Sequence, residues 1–144
     1  MNKFSILRST ALLVLLSIVS VFAYAKTESV PPVGNSTTVQ FTISIPDEVS
    51  SSISRVDAEN EVDFYFKKQD GSDVFLFSVN RVSENLWVNI KDQVGSYQLL
   101  DHRGGYIYFV SKTDKSKLKG EDSEKYSAVF SQMDVLIKSI KITE

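Results

Sequence analysis

The chain has 144 residues, with 16 basic and 18 acidic side chains and a net charge of −2 when its one histidine is neutral. That balance gives no global attraction for nucleic acid or an anionic membrane surface. The absence of cysteine excludes disulfides, a lipid-modified N-terminal cysteine, a thiol nucleophile and cysteine-based zinc sites.

Residues 1–25 read as a cleaved secretory signal. Lys3 and Arg8 precede or open an apolar run from Ala11 to Phe22, and the run ends in Ala23-Tyr24-Ala25, with small residues at the −3 and −1 positions. The run is about a dozen residues, short of the roughly 20 that a bilayer core requires. The mature protein is therefore expected to begin at Lys26 and to act in the periplasm or outside the cell. No later apolar stretch approaches spanning length, so no membrane insertion of the mature form is expected. Residues 26–38 (KTESVPPVGNSTT) read as a flexible leader, and residues 39–144 as a single domain.

From Val39 the chain alternates, with Phe41, Ile43 and Ile45 on one side, until Pro46 stops the strand. Asp47 is placed to cap a short helical turn, and Ile53 to Val56 fits a brief strand. Glu61 to Lys68 is a clear strand with Val62, Phe64 and Phe66 inward. Asp70-Gly71 is a hairpin signal. The returning strand, Asp73 to Val82, is apolar on both faces over Val74-Phe75-Leu76-Phe77, as a central strand would be. Ser83 can cap a short helix whose apolar face is Leu86, Trp87 and Ile90. A second hairpin joins Ser96–Asp101 to Tyr106–Ser111 around Arg103-Gly104-Gly105. The charged stretch Lys112 to Lys125 is expected to be a solvated connection. Helical spacing then runs from Glu124 to Ile137, through Tyr126, Val129, Phe130, Met133, Leu136 and Ile137. Ser139 to Thr143 alternates as a final short strand. Together these elements predict an α+β domain, an antiparallel sheet built from hairpins with a short middle helix and a longer C-terminal helix packed on it.

Several of these segments resemble a widespread group of short exported bacterial proteins of uncharacterised function. The matching blocks are Phe41–Asp47 (FTISIPD), Val62–Lys67 (VDFYFK), Phe75–Val79 (FLFSV), the hairpin Leu99–Tyr108 (LLDHRGGYIY), the pair Thr113-Asp114 and the C-terminal Ile137–Ile142 (IKSIKI). Members often carry a tryptophan after the Pro-Asp block, where this chain has Glu48-Val49, and many are lipoproteins, which this chain is not. The resemblance implies an α+β sheet similar to the PsbP-like fold of photosystem accessory proteins. It implies no activity and carries over no catalytic residue.

The chemistry in the sequence is sparse. His102, the only imidazole, sits beside Asp101 and Arg103 at a hairpin tip, but neighbours on a strand face opposite sides, so Asp101 is poorly placed to orient it. Asp70, Asp73 and Asp92 are dispersed, and Asp70-Gly71-Ser72-Asp73 lacks the spacing of a calcium loop. No metal site and no cofactor are expected. The aromatic residues are the better candidates. Tyr65, Tyr106 and Tyr108, with Tyr97 or Trp87 at the rim and His102 and Arg103 at the tip, could form an amphipathic binding surface if the tyrosines meet on one sheet face; the alternative is that the C-terminal helix covers that face and the tyrosines are core. The expectation is a non-enzymatic binding module for a protein or cell-envelope component, with an inhibitor or immunity-type protein as a special case. The alternative is a hydrolase that uses dispersed carboxylates with His102.

Overall fold

Alternation of apolar and polar residues makes Glu61–Lys67 the template of the sheet. Val62, Phe64 and Phe66 are fully buried while their neighbours face the other way. The computed structural model describes residues 38–143; the signal-type segment and all of the leader but Thr38 lie outside the described residues. In chain order the elements are β1 (Phe41–Thr42), α1 (Asp47–Ser50), β2 (Ile53–Ala58), β3 (Glu61–Lys67), β4 (Asp73–Ser83), α2 (Glu84–Ile90), β5 (Tyr97–Arg103), β6 (Tyr106–Lys112), α3 (Glu121–Ser139) and β7 (Lys141–Ile142). Five strands form one antiparallel sheet in the order β2-β3-β4-β6-β5, and β1 and β7 form a separate two-stranded ribbon. The fold is α+β.

β4 is the middle strand, as its two-sided apolar run predicts. The register against β3 slips between Phe64↔Phe77 and Tyr65↔Phe75, so Leu76 is an extra residue on β4, and it is fully buried in the main core. The turns follow glycine chemistry: Gly104 and Gly105 have φ of 59° and 78°, the pair of positive angles that a tight type I′ hairpin needs.

The two faces of the sheet are covered unequally. One face carries Val62, Phe64, Phe66, Phe77, Val79, Tyr108 and Val110 and packs against Tyr126, Val129, Met133, Leu136 and Ile137 of α3. Phe64 stacks on Phe77 at 4.6 Å, and Phe66 meets Tyr126 edge-on at 5.4 Å. The β1–β7 ribbon joins the same core, with the Phe41 ring 6.3 Å from that of Phe64. The other face holds a smaller cluster, Trp87, Ile107 and Phe109, beneath α2.

Several boundaries differ from the sequence reading, the final strand among them: it shortens from Ser139–Thr143 to Lys141–Ile142 because α3 runs through Ser139. The first strand shrinks to Phe41–Thr42 because β7 offers only two partners; beyond it Ser44 N donates to Ser139 Oγ at 2.9 Å, although Ile43 and Ile45 still pack inward. Asp47 is the first residue of α1 and does not cap it; the Pro46 carbonyl accepts from Val49 and Ser50 instead. The α3 helix begins at Glu121, inside the stretch read as a connection. Glu121, Asp122 and Glu124 lie in its first turn, where negative charge is favoured, and Asp122 and Glu121 accept from the backbone (3.2 Å) and side chain (2.6 Å) of Gln69 in the β3–β4 turn.

Candidate functional site

The β5–β6 hairpin and α2 build one end of the sheet. Ser83 ends β4 and caps α2, its Oγ accepting from Leu86 N at 3.3 Å. The next amide, Glu84 N, donates to Gly105 O at 3.0 Å and ties the helix to the hairpin turn. Trp87 on the next turn reaches the sheet, its ring 4.7 Å from Phe109 on β6 and 4.9 Å from Tyr97 on β5. The three rings form a closed set, with Tyr97 and Phe109 6.2 Å apart.

Cross-strand register decides which side chains share this surface. Leu99 lies opposite Phe109 and His102 opposite Ile107, so Tyr97, Leu99 and His102 stand on the α2 face of β5. β5 is one of the two edge strands of the sheet, and Leu99 is 57% and Tyr97 38% exposed. The His102 ring hydrogen-bonds the Glu84 carboxylate, eighteen positions earlier in the chain. Asp101 serves the tip differently: it accepts from His102 N at 2.7 Å and from Arg103 Nε at 2.6 Å, and the arginine holds its carboxyl below the usual range. A cavity of about 240 Å³ borders the start of β5, lined by Ser96, Tyr97, Gln98, Val110, Lys112 and Ile137.

The tyrosines of the sequence reading do not meet. Val62 pairs with Val79 and Val79 with Val110, which places Tyr106 and Tyr108 on the α3 face; Tyr65, one position on from Phe64, is on the α2 face. Tyr108 is buried in the main core at 2% exposure, and Trp87 is buried beneath α2. Tyr106 stays exposed and lies under the Arg81 guanidinium, 5.3 Å from its ring centroid. Of the six residues, the structure brings Trp87 and His102 to one face of the tip and Arg103 and Tyr106 to the other. Tyr97 and Leu99 complete the α2 face. Nothing in the sequence marks Leu99, because alternation in a strand does not reveal that the strand is an edge.

A second polar group lies on the same face, three strands in from β5. Glu61, Asp63 and Tyr65 alternate along β3, opposite Asn80, Ser78 and Phe75 of β4. Tyr65 OH donates to Asp63 Oδ2 at 3.1 Å, whereas Asp63 Oδ1 is buried without a partner. Ser78 is buried, its Oγ 2.8 Å from that of Ser111 and accepting from Asn80 Nδ2 at 2.8 Å. Burial, then the Asp63 charge, pushes the Glu61 carboxyl up to about 7; burial also raises Asp63. Burial and the Asp63 charge push the Tyr65 hydroxyl up to about 12. Nothing in the spacing of acids and tyrosines marked this row, because its effect depends on which sheet face is partly enclosed. Strand spacing sets β3 about 14 Å from β5, so these carboxylates do not join His102. Asp70 is engaged in its own turn with Ser72 and Lys68, which hold its carboxyl down to about 2.

Among the described residues no cluster of three or more histidine, aspartate or glutamate side chains could hold a metal ion. No described helix is long and apolar enough to cross a membrane. Comparison with protein-family models, curated proteins and solved structures finds no match for this chain.

Proposed function

We propose that this chain is an exported, non-enzymatic binding module that engages a protein or cell-envelope component through the β5 side of its sheet. The observation that carries the reading is the exposure of Leu99 and Tyr97 on an outermost strand, directly against the Trp87 ring set. Exposed apolar groups gain by burial at about 25 cal/mol per Å². Aromatic anchors already held in place lose little side-chain freedom on binding. His102 and its partner Glu84 border the apolar residues with polar groups on the same face, the arrangement of an interface core and rim. Export rests on the basic start, the short apolar run and the Ala23-Tyr24-Ala25 end. An inhibitor or immunity-type role is a special case of this reading, and the resemblance to short exported proteins of PsbP-like fold is consistent with it.

The test is partner capture from envelope extract with the processed protein and two lysine variants. Leu99→Lys should remove the captured partner. Val135→Lys, at an exposed position on α3, should leave capture unchanged. Undiminished capture by Leu99→Lys would move the site away from β5.

A further inference from the structure

The two ends of the sheet differ in kind. The β5 end has a broken register, since Leu100 is an extra residue between the pairs Leu99↔Phe109 and Asp101↔Tyr108, and such a bulge bends an edge away from a flat partner. The β2 end is regular. Its pairing with β3 runs unbroken from Ile53↔Phe66 to Ala58↔Glu61, and no described strand pairs with its outer side. Every second residue of that outer side therefore presents a backbone N–H and C=O outward.

The side chains on this edge are self-complementary. Arg55 and Asp57 lie on one face and Ser54, Val56 and Ala58 on the other. Val56 is 51% exposed. Arg55 and Asp57 are paired at 2.5 Å on the surface, and the Arg55 guanidinium lies 5.1 Å from the Phe41 ring centroid, which holds it in place.

We propose that β2 is the contact edge between two copies of this chain, paired antiparallel about a two-fold axis through Val56. The axis stands normal to the sheet, so each face continues across the contact. Val56 then meets Val56 of the second copy. Arg55 lies directly opposite Asp57 of the second copy, and the symmetry repeats that pair on the other side. Ser54 lies opposite Ala58, with no bulk to hinder the approach. The neighbouring registers are worse in charge: an axis through Arg55 opposes two arginines, and an axis through Asp57 opposes two aspartates. Like charges directly opposite destabilise a strand pair, and unlike charges stabilise it. Of these three registers only the one centred on Val56 is matched. The assembly is a continuous sheet of two five-stranded halves, with both β5 sides left at its far ends.

The test is the solution mass of the processed protein by size-exclusion chromatography with light scattering, with circular dichroism to verify the fold. The wild type should run at twice the monomer mass. Asp57→Arg should run at the monomer mass, because four arginines then face one another. The double exchange of Arg55→Asp with Asp57→Arg should restore the doubled mass, since the charges match again with their places swapped. Val56→Lys sets two ammonium groups at the axis and should also give monomer. A monomeric wild type across the micromolar range, a dimeric Asp57→Arg or Val56→Lys, or a double exchange that stays monomeric would each overturn the proposal. Partner capture through Leu99 belongs to the opposite end of the sheet, so its loss and the loss of self-association appear in different variants.

Discussion

Glu61 and Asp63 stand two positions apart on the same face of β3, and the Asp63 oxygen that does not meet Tyr65 is buried without a partner. Two acids held this way resist carrying two negative charges. The Glu61 carboxyl, raised from 4.5 to about 7 by burial and by Asp63, binds its proton more tightly in the folded chain than in the unfolded one. Its contribution to stability is therefore fully present below the unfolded value and lost as pH rises through about 7. Thermal unfolding followed from pH 8 down to pH 5 should show Tm rising in the wild type, by a few degrees for an effect on the order of 1 kcal/mol. Glu61→Gln should flatten that rise. A rise of equal size in the variant would place its source elsewhere. The lowered carboxyls of Asp70, Asp101 and Asp134 act in the opposite sense: each favours the fold above the ordinary carboxylate value of 3.8, and that contribution is lost at lower pH as the carboxylate takes up a proton and gives up its hydrogen bonds to Ser72, Arg103 and Lys112 respectively.

Trp87 is the only tryptophan and is buried against Phe109 and Tyr97. Its fluorescence thus reports the docking of α2 on the sheet. Trp87→Ala should cost about 3–5 kcal/mol, the range for emptying a buried aromatic site, and Trp87→Phe much less. Denaturant unfolding followed by circular dichroism gives both values. A loss below about 1 kcal/mol in Trp87→Ala would mean that α2 is not held by this residue.

The strands and hairpins are legible in the sequence because their signals are local. Val62, Phe64 and Phe66 alternate, and Gly71, Gly104 and Gly105 mark the turns, each at positive φ. The start of α3 is not legible, because Glu121, Asp122 and Glu124 look like solvated charge until a helix N-terminus is there to favour them. The candidate site is less legible than the strands. Tyr106 and Tyr108 are separated from Tyr65 by a register that only the assembled sheet defines, and Glu84 meets His102 only because α2 packs over the hairpin. The edge position of β5, which exposes Leu99, follows from strand order, and strand order is not written in alternation.

The proposed export makes a simple prediction about the N-terminus. The protein accumulated by its source cells should begin at Lys26, as read by N-terminal sequencing or intact mass. Ala25→Arg places a large charged residue at the −1 position and should leave the precursor uncleaved. A wild-type product that retains Met1-Asn2-Lys3 in the soluble cytoplasmic fraction would contradict the secretory reading.

The claim that the β5 side is a binding surface is tested most directly by a photo-crosslinking residue placed at position 99 and, in parallel, at position 135, in cells that produce the protein. The account predicts a single dominant adduct from position 99, lost when Tyr97 is also changed to Ala, and no comparable adduct from position 135. Equal labelling from both positions, or none from position 99, would contradict it.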